Sequence, residues 1–129
     1  TLNLSDNVMI LKNLPDWEVQ SLFRLCSLFV FPSVYEGFGI PILEAMAAQR
    51  PMVLSDLPVF REITENQSIY FDPNKIESIA DMILKTYSSK FEQERLVDYG
   101  LKRVEAFKYH NLAQGLVKIY RQQLNSKRS

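Results

Sequence analysis

The feature that most constrains the fold is a set of short apolar runs, each followed by a helical pattern. Leu28 to Phe31 (LFVF) contains no polar residue and is closed by Pro32. Pro51 to Ser55 (PMVLS) reads as the next buried strand, and Ser68 to Phe71 (SIYF) as another short one. A strand with one wet face alternates apolar and polar residues. A continuous run fits a strand covered on both faces, as in a parallel sheet. A further strand is expected at Asn7 to Lys12 (NVMILK).

Helical patterns fill the intervals. Pro15 and Asp16 open a helix to about Cys26, with Val19, Leu22, Phe23 and Cys26 on one face. Pro41 begins another that reaches about Ala48, since a first turn does not need the N–H that proline lacks. A short helix is expected from Pro58 to about Thr64. The next runs from about Lys75 to Tyr87, with Ile76, Ile79, Ala80, Ile83 and Leu84 inward. Two more span about Lys90 to Phe107 and His110 to Leu124. Strand and helix in alternation predict an α/β fold: a doubly wound, Rossmann-like parallel sheet with helices on both faces, closing with C-terminal helices. The chain has 129 residues and no internal repeat or linker, so one unit with a sizeable core is expected.

Charge narrows the function. The 15 Lys and Arg residues balance 15 Asp and Glu, which excludes the one-signed field of a general nucleic-acid binder. The basic pair Lys127-Arg128 reads as a solvated end. Cys26 is the lone cysteine, so no disulfide forms within the chain, and a cytoplasmic protein with a packed, inert thiol is expected. The chain opens at Thr1 without an initiator Met and is expected to be a piece of a longer protein.

The functional question lies in Ser33 to Ala48, SVYEGFGIPILEAMAA. Seven residues separate Glu36 from Glu44, with Gly37, Gly39 and Pro41 between them. In an open parallel sheet, ligands bind beyond the carboxyl ends of the strands, which is where this stretch falls. Gly37 and Gly39 permit backbone shapes and close approach that a Cβ would block. The helix start turns free N–H groups and its positive dipole end to the same space, a ready anion site. Carboxylates repel phosphates, but beside one they are well placed to accept hydrogen bonds from hydroxyls. That combination suits a nucleotide sugar better than a bare phosphate. A plainer reading uses the same residues. Glu44 in a first helical turn gains up to about 1 kcal/mol from the dipole without any ligand. Glu36 is then an ordinary loop residue, and the G-x-G fragment serves only the turn.

The run FPSVYEGFGIPILEAMAA resembles the glutamate-x7-glutamate motif of the retaining, family-4 glycosyltransferases. The resemblance continues through RPMVLSDLPVFREI and IYFDP to AFKYHNLAQGLVKIYR, covering nearly the whole chain. It implies half of a GT-B architecture, in which two Rossmann-like domains face a cleft. The chain would belong to the C-terminal, nucleotide-sugar-binding domain, with the N-terminal acceptor domain absent. It implies that Glu36 is the catalytic-site carboxylate, bonding hydroxyls of the donor sugar. Phe38, Gly39 and Ile40, beside Gly37, would offer N–H groups to the diphosphate or sugar, and Glu44 would hold the ribose hydroxyls. Ser33 and Tyr35 would shape the pocket, Asn13 and Leu14 would contact the base, and Glu62 would be structural.

The resemblance further implies transfer of a sugar from a nucleotide diphosphate donor to an acceptor hydroxyl with retained configuration. Neither metal nor cofactor is expected; the sequence has no Asp-x-Asp motif and one His. A glycan or lipid-linked acceptor would be held by the N-terminal domain, with peripheral contact of the full enzyme at the inner membrane face. Surface polysaccharide assembly is the expected setting, and the fragment alone is expected to be inactive. Two departures stand out. Gln49 occupies a helix end where the family has Gly, and the family's diphosphate-neutralising Arg and Lys have no counterpart here, Lys12 standing in another context.

Glu36 as a covalent nucleophile is a weaker reading than Glu36 as a hydroxyl acceptor, because a front-face mechanism needs no enzyme nucleophile. His110 is expected at a helix start or in packing. Trp17, Phe23, Phe29 and Phe31 are expected in the core rather than as sugar platforms. The charges from Lys90 to Arg103 read as a solvated helix face. A non-catalytic module that binds a nucleotide or partner chain, or a GT-B nucleotide-sugar epimerase, remains a separate reading.

Overall fold

A computed structural model describes residues 3–126, so the Lys127-Arg128 tail lies outside the described residues. Three strands form one parallel sheet in the order β1-β2-β3: β1 is Phe29–Phe31, β2 is Met52–Ser55 and β3 is Ile69–Phe71. Phe31 stands opposite Leu54, and Ser55 opposite Phe71, so all three strands finish on one side. The helices are α1 (Asp16–Leu25), α2 (Ile40–Ala47), α3 (Pro58–Ile63), α4 (Ile76–Ser88), α5 (Lys90–Val104) and α6 (Tyr109–Ser126). A 3-10 turn, Glu105–Phe107, joins α5 to α6. The α/β, Rossmann-like arrangement is the expected one, and each of the three strands falls on its apolar run.

β2 is buried along its whole length, the pattern of a central strand covered above and below. The core gathers Phe23, Ile42, Ala45, Met46, Met52, Leu54, Phe60 and Ile63. Aromatic rings run through it in series: Phe23 to Phe29, Phe29 to Phe31, then Phe31 stacked on Phe60 at 5.0 Å. Burial of one such ring stabilises by about 1.5–3 kcal/mol. Helix α2 lies between the sheet and α5. Gly100 lets α5 approach it, since a Cβ there would stand 3.2 Å from Met46 Cγ.

Four expectations are corrected. Asn7 to Lys12 forms no strand: Val8, Met9 and Ile10 are 60%, 80% and 78% exposed. An extended segment becomes a strand when a neighbour takes its N–H and C=O groups. Among the described residues nothing pairs with this one. On α4 the inward row is Ile79, Ile83 and Thr86, while Ile76, Ala80 and Leu84 face solvent. The apolar stripe is wider than the surface it covers, and one edge stays wet. Trp17 is 68% exposed rather than core, and Leu22, on the same helix, is exposed although Phe23 is buried. Cys26 is half-buried, its thiol bonded to the Phe23 carbonyl and pushed up in pKa by burial.

Candidate functional site

β1 ends at Phe31, and the chain then crosses the open end of the sheet before entering α2. The crossing is held at three points. Ser55 Oγ donates to the Phe31 carbonyl at 3.1 Å, tying the ends of β1 and β2. Ser33 Oγ donates to the Tyr35 carbonyl at 2.9 Å and lies 3.5 Å from Glu36 Oε1. Gly39 then takes φ +94° as the N-cap of α2, and a Cβ there would stand 2.9 Å from the Phe60 ring. No other residue type fits both the angle and the space. Gly37 differs: nothing lies within 4 Å of where its Cβ would be, and its φ is ordinary. The expectation that both glycines serve the backbone therefore holds for Gly39 alone.

Among the described residues, the N–H groups of Gly37, Phe38, Gly39 and Ile40 donate to no backbone carbonyl. They stand at the positive end of α2, beyond the carboxyl ends of the strands. Glu36, half-buried, precedes them. Glu44 lies in the second turn of α2; the first turn holds no acidic residue. This corrects the first-turn placement and removes the dipole as an explanation for Glu44, because that effect fades within one turn. Among the described residues neither glutamate enters an ion pair. Both offer carboxylate oxygens with no cation partner, which suits hydroxyl recognition.

Two small cavities flank the crossing. One of about 240 Å³ is lined by Val34, Tyr35, Glu36, Leu57, Pro58 and Val59. The other, of about 220 Å³, lies among Gly37, Phe38, Val59, Glu62, Arg103 and Phe107. Tyr35 is 85% exposed and free to meet a ligand. Phe38 rests edge-on against Phe107 at 6.1 Å, and the Arg103 guanidinium covers the same Phe107 ring at 4.8 Å. Arg103 is anchored in turn by the Ile63 carbonyl at 2.6 Å. Sequence reasoning passed over Phe107 and Arg103, which prop the crossing from the far end of the chain; no local pattern marks them.

The remaining candidates sit elsewhere. Asn13 has a left-handed φ of 54° and is exposed, Leu14 is half-buried, and no hydrogen bond among the described residues joins them to Glu36 or Glu44. Glu62 is exposed on α3 at the mouth of the second cavity. His110 is the second residue of α6 and bonds to Gln114, as a helix-start residue would. Gln49 takes the left-handed φ of 59° that glycine would favour. Among the described residues, no group of three or more His, Cys, Asp or Glu is set to hold a metal, and no helix is long and apolar enough to cross a membrane.

The sequence profile of the family described as glycosyl transferases group 1 matches residues 1–103. The chain belongs to that family. Its relatives include the O-antigen chain mannosyltransferase B of Escherichia coli, 32% identical over 107 residues, which are 83% of this chain and 28% of that protein. The MMP alpha-(1->4)-mannosyltransferase of Mycolicibacterium hassiacum is 30% identical over 92% of this chain and 30% of its own length. The solved structure of sucrose-phosphate synthase from Thermosynechococcus elongatus superposes with a TM-score of 0.80 at 24% identity, covering 96% of this chain and 32% of that one. This likeness shows the fold, a half of the GT-B kind. The chain thus spans under a third of each of these relatives.

Proposed function

We propose that this chain is the donor-binding part of a retaining glycosyltransferase that moves a hexosyl group from a nucleotide diphosphate sugar to an acceptor hydroxyl. One observation carries the reading: undonated N–H groups at the start of α2 are bracketed by two carboxylates with no cation partner. The N–H groups suit the diphosphate, where negative charge grows as the glycosidic bond to phosphate breaks. Glu44 accepts from the ribose hydroxyls, and Glu36 accepts from sugar hydroxyls and sets the ring for reaction. In the front-face route the acceptor oxygen attacks the anomeric carbon on the side the diphosphate leaves. The acceptor proton passes to the leaving phosphate oxygen, so configuration is retained and no enzyme nucleophile is consumed.

Mannosyltransferase names recur among the relatives, which supports a mannosyl donor and surface-polysaccharide assembly as the setting. The acceptor, a glycan or lipid-linked saccharide, belongs to an N-terminal domain together with the cations that complete the diphosphate site. We place the full enzyme in the cytoplasm, with peripheral contact at the inner membrane face and no metal requirement. The 129-residue chain alone is expected not to turn over.

The test is a transfer assay on the full gene product with GDP-, UDP- and dTDP-hexoses and saccharide acceptors, the product linkage read by NMR. One donor should give product of retained configuration, and Glu36→Ala should lower kcat by about 10²-fold through loss of sugar placement. An inverted product, or an unaffected Glu36→Ala, contradicts the reading.

A further inference from the structure

Glu44 is held from outside its own helix. Gln20 Nε2, on α1, donates to Glu44 Oε1 at 3.0 Å. Both side chains are half-buried. Val19, beside Gln20, and Phe23, one turn on, pack into the core, so the backbone at Gln20 is fixed by burial rather than by this contact. A carboxylate only accepts, so the amide presents its nitrogen.

The choice of partner is informative. An Arg at this position would take both carboxylate oxygens, and any cation would cancel the charge. An amide N–H occupies one oxygen and leaves the charge in place. It also leaves Oε2 open. Glu44 is otherwise a flexible side chain, and a ligand that had to order it would bind more weakly. A tether from α1 settles that entropy before the ligand arrives.

We propose that Gln20 is a positioning residue: it fixes the Glu44 carboxylate so that Oε2 meets the ribose hydroxyls of a nucleoside diphosphate. The proposal rests on the donor-site reading above. It differs from a plain interhelix tie, which would affect stability but not the work done by Glu44.

A double-mutant cycle separates the two. UDP and GDP are titrated by calorimetry into the full gene product, as wild type, Gln20→Leu, Glu44→Ala and the double variant, with Tm read for each. Gln20→Leu should weaken binding of the preferred diphosphate by about 5- to 15-fold, at or below the low end of what a direct hydrogen bond to a charged group contributes, because Gln20 acts only through Glu44. Glu44→Ala should weaken it further, and the double variant should match Glu44→Ala, because Gln20 acts through Glu44. Gln20→Met, of similar length and without the N–H, replaces Gln20→Leu if the latter fails to fold. Wild-type affinity in Gln20→Leu, with Glu44→Ala weakened, overturns the positioning role and leaves the donor site standing. Additive losses in the double variant also overturn it. Wild-type affinity in Glu44→Ala overturns the donor-site reading itself, and the proposal with it.

Discussion

Gly37 and Gly39 stand two residues apart and do different things. Gly39 holds φ +94° against the Phe60 ring, so Gly39→Ala should cost about 1–3 kcal/mol in chemical denaturation. Gly37 has open space around it, and Gly37→Ala should change stability by less than about 0.5 kcal/mol while still weakening diphosphate binding. Equal stability losses at the two positions would contradict this division. Gln49 carries the opposite expectation: its left-handed φ of 59° strains a side chain, and Gln49→Gly should raise stability by about 1 kcal/mol in the same measurement. The two glutamates were legible in the sequence because their spacing and the turn between them are local. Gln20 was not, since its bond to Glu44 crosses 24 residues and an amide on an amphipathic helix resembles any solvated residue. Phe107 was read as the end of a helix, and its contact with Phe38 is set by how α5 lies on α2.

Apolar runs placed β1, β2 and β3 because a buried parallel strand has no polar face to disguise it. The same logic failed at Asn7 to Lys12, where the run is apolar but no neighbour supplies hydrogen bonds. It also misplaced one edge of α4, because periodicity gives the direction of an apolar stripe and not how much of it a neighbour covers. Where the core does form, Phe60 joins α3 to β1 through its stack on Phe31 and supports Gly39. Phe60→Ala should cost about 3–5 kcal/mol and disturb the crossing as well. The packing of α5 leaves a pH signature. Burial, then the hydrogen bond to Glu65, push the Tyr99 hydroxyl up to about 12 from an ordinary 10.0. The neutral form is favoured in the fold, so its contribution is complete below pH 10 and is lost as pH rises through 12. Unfolding midpoints should fall across that window, and Tyr99→Phe should flatten the fall. An unchanged slope would show that Tyr99 is not its source.

On the scale of the molecule, the proposed donor site, built from the α2 start and the two glutamates, is half of a site. The chain spans 28% and 30% of two mannosyltransferase relatives, and in the proposed reading the diphosphate would draw its cations, and the reaction its acceptor, from an N-terminal domain. The fold was legible at this scale from alternation alone, whereas the sugar was not, because a carboxylate accepts from the hydroxyls of any hexose alike. In the proposed site Glu44 recognises a nucleotide ribose; in the plainer reading it only packs a helix. The most direct test is calorimetric titration of the full gene product with UDP-, GDP- and dTDP-hexoses, comparing wild type with Glu44→Ala. One donor should bind, and the variant should lose about 1–3 kcal/mol of affinity while still unfolding cooperatively. Equal binding by the two proteins, or no donor bound by either, would contradict it.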